Sequence, residues 1–220
     1  MKAYKFRTVE NLHFVFDILF KKRLYCCLIN QLNDFREAHT MMGLAPGREI
    51  ELINFAIEAL EEVASFRICA LSRTFDNHLL WAHYAGGYTG IAIEIELEES
   101  EAVPIVYEDS YILWSDLIDQ FSPEDAARKL LSNKFKDWHY EEEVRVISKN
   151  EYYELSRPIT RIIVGPKTSP VVIGALAIIC KQFGVGLERM VVTPSGIIAQ
   201  KFDPDIFINL KGGALSAPSM

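Results

Sequence analysis

Residues 136–147 concentrate charged and aromatic side chains at a spacing that could do chemistry. In a β-strand alternate side chains share one face, so Glu141, Glu143 and Arg145 would lie together. A carboxylate held ionised by a neighbouring cation at the floor of a cleft can stabilise a developing positive charge. The same row also fits a structural ion pair on a sheet face, because such pairs are common and weak. The sequence leaves both interpretations open.

A second polar segment follows a predicted strand at residues 66–71. Ser72 stands at the strand end, and the short helix that follows contains Trp81 and Tyr84. Strand ends are favoured places for functional polar groups. Ser72 lacks the G-x-S-x-G pattern of hydrolase nucleophiles. The two histidines of this helix are five positions apart and do not share a helix face, so we predict no metal site here.

The first strand signal is Tyr4-Lys5-Phe6-Arg7, which alternates between polar and aromatic side chains and ends in a guanidinium. Arg7 could hold a phosphate group through two parallel hydrogen bonds. The alternative is an ordinary surface arginine, and the sequence does not separate the two.

In combination, several segments resemble the bacterial family called domain of unknown function 2971. They are residues 4–7, 32–37, 80–85 leading into 89–94, the pattern Trp-x-Tyr-Glu-x-Glu-x-Arg within 134–147, and 162–165. The resemblance spans residues 3–196 of the chain. The name of that family implies no activity.

The C-terminal third is also similar to the DarT-type DNA ADP-ribosyltransferase toxins, with a Glu-bearing strand, a strand ending in Gly, a helix and a final hairpin. The order of a basic residue, a Ser/Thr-aromatic strand end and a Glu is similar to the triad of the wider ADP-ribosyltransferase superfamily. The resemblance implies Arg7, Ser72 and Glu143 in those positions, with Tyr84 as an alternative aromatic.

The resemblance further implies cleavage of nicotinamide from NAD through an oxocarbenium-like sugar. Glu143 would stabilise the sugar cation, and Glu141 would reach the acceptor or the second ribose hydroxyl. Tyr84 or Trp81 would stack on the cationic nicotinamide ring. NAD, as substrate, and a nucleic-acid or protein acceptor are the implied partners, and a toxin or phage-defence effector is the implied role.

Two other functions compete with this one. The first is a non-catalytic ligand-binding or interaction module, in which the Glu–Arg row is a structural network. The second is a nuclease or other hydrolase, which ranks lower because the sequence has no visible constellation of metal-binding carboxylates. We expect no metal cofactor.

Composition excludes several classes of protein. The 220 residues carry a net charge of −7, which argues against sequence-blind binding to nucleic acid. No pair of the four cysteines has C-x-x-C spacing, so we expect buried thiols in a reducing compartment. The longest apolar run, residues 171–180, is too short for a membrane span, which needs about 20 residues. We therefore expect a soluble cytoplasmic protein with no membrane partner; a homo-oligomer is compatible with this composition.

The elements that must position these residues interleave helices with strands. Residues 48–65 predict a helix whose apolar positions form a stripe with helical spacing, as in a helix that buries one face. The stripe consists of Ile50, Ile53, Ile57, Leu60 and Ala64. Residues 89–97 alternate like a half-buried strand.

Two further helices begin at Ser122-Pro123 and Ser169-Pro170, where a capping residue precedes a proline. The middle strands lack helices long enough for regular βαβ units, so we predict one α+β domain over residues 1–220. Its central sheet would be mixed and mostly antiparallel, with flanking helices. The resemblance makes that fold ADP-ribosyltransferase-like.

Overall fold

A computed structural model describes residues 1–34 and 39–208 of the chain. The strands are β1 (Lys2–Arg7), β2 (Arg23–Tyr25), β3 (Thr40–Met41), β4 (Arg67–Ser72), β5 (Ile91–Glu96), β6 (Val103–Pro104), β7 (Val106–Glu108), β8 (Ile112–Leu113), β9 (Asn133–Phe135), β10 (Glu143–Ser148), β11 (Tyr152–Glu154), β12 (Arg161–Val164), β13 (Gly186–Thr193) and β14 (Gly196–Lys201). The α-helices are α1 (Leu12–Lys21), α2 (Glu49–Ser65), α3 (His78–Tyr84), α4 (Trp114–Leu117), α5 (Pro123–Leu131), α6 (Pro170–Phe183) and α7 (Asp205–Ile208).

Eight strands form the central sheet, in the order β14-β13-β12-β5-β1-β4-β10-β6. Only the pair β12–β13 is parallel among these neighbours, and the other pairs are antiparallel. The remaining described strands pair two by two, as β11–β2, β3–β8 and β7–β9. The prediction of a mixed, mostly antiparallel sheet with flanking helices is confirmed.

The hydrophobic core covers both faces of the sheet. Ile91 and Ile93 of β5 pack in one cluster with α1 and α6. Ala92, between them, packs in another cluster with α3. A third cluster lies between α2, α4 and α5. Because alternate residues of β5 enter different clusters, this strand is buried on both sides.

Local signals fix where α5 and α6 begin. The Ser122 side chain accepts a hydrogen bond from the Asp125 N–H at 3.1 Å, and Pro123 occupies the first turn. Ser169 caps α6 in the same way, and that helix ends at Gly184 in the left-handed region, at φ 67°. Both predicted helix starts are confirmed, because an N-cap needs only residues within one turn.

The apolar stripe predicted on α2 is not the face that the protein buries. The buried side chains are Leu52, Phe55, Ala56, Ala59 and Val63, and they pack against α4 and α5. The predicted stripe is exposed instead. The helix is apolar on two sides, and α5 meets the side with small residues, where its own Ala126 and Ala127 allow close approach.

The strand predicted at residues 89–97 is present as β5, but the prediction that it is half-buried is wrong, because β5 lies between β1 and β12 and packs in the core on both faces. Its Glu94 is only 1% exposed. Lys2, Tyr4, Thr160 and Arg161 donate hydrogen bonds to this carboxylate over 2.7–2.9 Å. Burial raises the pKa of Glu94, but these donors outweigh it and hold the pKa at about 2.

Candidate functional site

The central sheet opens between β1 and β4. The two strands share a single register pair, Tyr4 with Ser72. Beyond that pair, β1 continues along β5 while β4 continues along β10. The backbone of Cys27 takes the vacated place beside β4, where it exchanges hydrogen bonds of 2.8 and 2.9 Å with Ile68. The separation leaves a cavity of about 350 Å³, within the size range of small-molecule sites.

Five of the six predicted site residues line this cavity: Arg7, Ser72, Tyr84, Glu141 and Glu143. They come from β1, the end of β4, α3, the turn before β10 and the first residue of β10. The chain therefore brings together side chains that are up to 136 positions apart in sequence. Of the segment 32–37, Asn33 and Asp34 also line the cavity, whereas residues 35–37 lie outside the described part of the chain.

Glu141 and Glu143 meet at one lysine. The Lys134 Nζ atom is 2.6 Å from Glu141 Oε2 and 2.9 Å from Glu143 Oε2. Arg145 Nε donates to Glu143 Oε1 at 2.5 Å, and the Tyr84 hydroxyl donates to Glu141 Oε1. Both carboxylates are 4% exposed. The Glu–Arg contact considered from the sequence is therefore present, within a larger network.

Glu141 reaches the network by a different route from the predicted one. It is not part of a strand, because Lys136–Glu141 forms a 3-10 helix. Glu142 then adopts the left-handed region, at φ 43°, and β10 begins at Glu143. This turn, rather than strand alternation, directs both carboxylates to Lys134. Alternation does hold for Glu143 and Arg145 within β10.

The two carboxyl groups have opposite pKa shifts. Burial raises the pKa of Glu143, but Arg145 and Lys134 outweigh that effect and hold the pKa at about 2. Burial raises the pKa of Glu141 above its usual range, and hydrogen bonds from Lys134 and Tyr84 only partly offset it. Glu143 is thus held in the ionised form, whereas Glu141 takes up a proton more readily than an ordinary glutamate does. Neighbouring acids whose pKa values are pushed apart are typical of acid–base catalysis.

Two cations of β1 form another wall of the cavity. Lys5 Nζ donates to the Ala70 carbonyl at 2.6 Å. The Arg7 guanidinium lies 4.9 Å from the Phe14 ring centroid, and its buried Nε has no hydrogen-bond partner within the described residues. Neither cation forms a salt bridge in that part of the chain. Burial lowers the pKa of both side chains. An anionic ligand would supply the missing partner, because a buried charge is costly unless it is paired.

Ser72 serves the shape of the site. Its hydroxyl donates to the Glu141 carbonyl at 2.6 Å and accepts from the Thr74 N–H at 3.1 Å. With 4% of its surface exposed, this side chain fastens the end of β4 to the turn that carries Glu141. It acts on the carboxylate pair by positioning it.

Trp81 lies outside the cavity. It is fully buried, its Nε1 donates to the Phe75 carbonyl at 2.6 Å, and its ring meets Phe6 edge to face at 5.3 Å. The stacking role that the resemblance implied for Trp81 does not fit this position. Tyr84, which is half-buried at the cavity wall, is the aromatic side chain that can reach a ligand there.

Sequence reasoning missed Lys134 and Lys5. Lys134 comes from β9 and is 8% exposed, and its one signal was its place at the start of the segment 134–147. Lys5 alternates with Tyr4 and Phe6 on β1, as a strand residue with one wet side does. Lys5 bonds a backbone carbonyl 65 positions away, and Lys134 meets its two glutamates only because the intervening residues form a 3-10 helix rather than a strand.

No group of three or more His, Cys, Asp and Glu side chains within residues 1–34 and 39–208 could hold a metal ion. The four cysteines are free thiols. Across the same described ranges, every helix is too short or too polar to cross a membrane.

Comparison of the chain with protein-family models, with curated proteins and with solved structures finds no match.

Proposed function

We propose that this protein is an NAD-consuming enzyme, an ADP-ribosyltransferase or NAD glycohydrolase, whose reaction takes place in the cavity between β1 and β4. The observation that carries the proposal is that Glu141 and Glu143, two carboxyls with opposed pKa shifts, share one cavity with two cations of β1 that form no salt bridge within residues 1–34 and 39–208. NAD offers both features that such a site would recognise. Its pyrophosphate is anionic, and its nicotinamide–ribose bond breaks with positive charge on the sugar.

The cationic wall suits the phosphates. Arg7 presents a guanidinium whose buried Nε–H has no hydrogen-bond partner among the described residues, and Lys5 adds a second charge on the same strand. Guanidinium groups bind phosphate oxygens in a forked geometry that an ammonium group does not provide. Arg7 therefore binds the pyrophosphate, and Lys5 strengthens the positive field around it.

The carboxylate wall suits the chemical step. Nicotinamide leaves with the electron pair of its bond to the ribose, so positive charge develops on the sugar ring. Glu143 stays ionised and stabilises that charge through its fixed field. Water or an acceptor hydroxyl then attacks the sugar carbon. Glu141, in its ionised form, takes the proton that the attacking group loses.

A second candidate function is a module that binds an anionic ligand without turning it over. One observation favours it: all four oxygens of Glu141 and Glu143 already accept a hydrogen bond from Tyr84, Lys134 or Arg145. A network so fully satisfied could serve to hold the cavity wall in shape. In that case the cations would bind the ligand and no bond would break.

Purified protein mixed with NAD, followed by chromatography for released nicotinamide, tests the proposal. Glu141→Gln should reduce the release at least about 100-fold, as loss of a general base does. Glu142→Gln is the matched control, since it makes the same chemical change one position away on an exposed side chain. Arg7→Gln should raise KM more than it lowers kcat, whereas Arg157→Gln, an exposed arginine outside the cavity, should change neither.

Glu143→Gln needs its own control, because it also removes the ion pair between Glu143 and the buried Arg145. Glu94→Gln makes the same change in a buried carboxylate that does not line the cavity. We expect both variants to lose stability, and only Glu143→Gln to lose nicotinamide release at temperatures where both are folded.

The wild type should be assayed alone and with DNA, RNA and protein as acceptors. If no nicotinamide is released under any of these conditions, the enzyme proposal fails. Calorimetric binding of NAD without turnover, abolished by Arg7→Gln, would then support the binding module. A toxin or phage-defence role stays a prediction, which expression of wild type and Glu141→Gln in a bacterial host can check.

A further inference from the structure

The outer face of α2 carries an apolar stripe that no described residue covers. Its four large side chains are Ile50, Ile53, Ile57 and Leu60, which are 77%, 47%, 51% and 46% exposed. Scattered exposed apolar side chains are normal, but a contiguous row of large ones marks an interaction site. The opposite face of α2 is fixed in the core against α5, so the helix cannot rotate to bury the stripe.

The spacing of the stripe identifies the shape of what would cover it. Positions 50, 53, 57, 60 and 64 alternate in steps of three and four, which is the a/d repeat of a coiled-coil seam. The repeat extends over two heptads, or about 21 Å of helix. A seam of this kind is filled by side chains of a second helix that lies nearly parallel or antiparallel to the first.

Charge beside the seam identifies the chemistry of that helix. Glu61 is exposed at one edge of the stripe, and the exposed Glu58 lies on the same side, one row further out. Basic side chains on a partner would pair with them across the seam, as charged residues at the edges of coiled coils do. A second copy of this chain in antiparallel pairing would instead bring the same acidic edges together. An anionic membrane surface would be repelled by these carboxylates and by the net charge of −7.

We propose that α2 docks an amphipathic α-helix of another protein, with an apolar heptad seam flanked by lysine or arginine. This inference is independent of the chemistry in the cavity. It concerns a surface formed by α2 alone, and none of its residues lines the cavity.

Two synthetic three-heptad peptides with the same Leu/Ile seam, one flanked by Lys and one by Glu, are suitable probes. Fluorescence anisotropy should show the Lys-flanked peptide binding about tenfold more tightly, equal to ~1.4 kcal/mol. The difference should shrink at high salt, because exposed ion pairs are screened. The double variant Glu58→Lys/Glu61→Lys should reverse the preference between the peptides.

The double variant Ile53→Ser/Ile57→Ser should weaken binding of the Lys-flanked peptide at least tenfold. Val171→Ser/Ile178→Ser is the matched control, since it removes two exposed apolar side chains from α6 instead. Circular dichroism melting should show that neither double variant unfolds the protein, as expected for exposed positions.

Three results would overturn the proposal. The first is failure of both peptides to bind, or equal binding of both. The second is a dimer in sedimentation experiments that Ile53→Ser/Ile57→Ser dissociates, which would make a second copy the occupant. The third is binding to phosphatidylcholine–phosphatidylserine vesicles that the same variant abolishes, which would make a membrane surface the occupant.

Discussion

Lys134→Met tests whether one buried lysine holds the carboxylate pair in place. Methionine keeps an unbranched chain of similar length and removes the charge. In the wild type, the ammonium group lies 2.6 Å from Glu141 and 2.9 Å from Glu143, and the lysine is 8% exposed. After the substitution Arg145 still neutralises Glu143, but Glu141 keeps only the Tyr84 hydroxyl as a donor from this network.

The expected loss in the free energy of unfolding is about 3–5 kcal/mol, the usual result of removing one member of a buried ion pair. In a chain of this size that loss lowers the melting temperature by about 6–20 °C. The loss should depend on pH, because the pKa of Glu141 is already raised and loses its nearest cation. The folded variant then binds more protons than the unfolded chain between the ordinary glutamate pKa and the raised one. Its stability therefore rises as the pH falls through that window.

Urea unfolding of wild type and variant at several pH values between 5 and 8 measures this effect. Lys149→Met, which removes an exposed lysine 3.0 Å from Glu62, is the control and should cost less than about 1 kcal/mol. The double variant Lys134→Met/Glu141→Gln should recover part of the lost stability, since no charge at Glu141 is then left without its cation. A loss below about 1 kcal/mol, or one that is the same at every pH, would refute the reasoning.

Three further predictions concern single positions. The pKa of Glu143 is about 2 in the folded protein, below the ordinary value of about 4.3. Ionised Glu143 therefore contributes on the order of 3 kcal/mol to the free energy of unfolding, and this contribution disappears as the pH falls from 4 towards 2. Urea titrations should show this acid loss in the wild type and a flatter dependence in Glu143→Gln. Gly90→Ala should lower the melting temperature by more than 5 °C, because the added Cβ would stand 2.2 Å from the carbonyl oxygen of Arg7. Gly186→Ala is the control: the nearest atom to its added Cβ is 3.4 Å away, so the melting temperature should change far less. Glu142→Gly should leave the melting temperature unchanged or raise it, whereas Glu142→Val should lower it, since a β-branched residue is strained at φ 43°.

Local signals predicted where α5 and α6 begin and the type of the central sheet. At each start, the serine side chain accepts a hydrogen bond from a first-turn N–H group that has no partner within the helix, so the signal lies within one turn. Short strands without long intervening helices must pair mostly antiparallel, and each of the eight described strands of the central sheet pairs so with at least one neighbour.

Periodicity could not predict which side of α2 enters the core. The helix has two apolar sides, and the larger stripe contains three isoleucines and a leucine. The smaller residues of the other side, such as Ala56 and Ala59, are the ones that let α5 approach closely. Selection between the sides depends on a helix that lies more than 60 positions further along the chain, so no window on the sequence contains it.

The sequence predicted the two carboxylates and the two arginines of the candidate site, but not its two lysines. Glu141, Glu143 and Arg145 stand together in sequence, so their proximity follows from short-range geometry. The 3-10 helix between Lys134 and the glutamates brings that lysine to their carboxylates. Lys5 faces the cavity only because β1 and β4 separate after one register pair. That separation is a property of the whole sheet.

The buried charged network lies at the wall of the cavity, and this position favours a role in the chemistry of the cavity over a purely structural one. Apolar residues of similar volume commonly stabilise a core as well as a buried ion network or better. The wall of the 350 Å³ cavity contains four buried charged residues. Packing alone does not require the desolvation cost of burying these charges, which belong to Lys134, Glu141, Glu143 and Arg145. Glu94 offers a comparison, since it is equally buried and holds β1, β5 and β12 together without lining the cavity. If Glu143→Gln and Glu94→Gln lose similar stability while only Glu143→Gln loses nicotinamide release, the charges at the cavity wall serve chemistry.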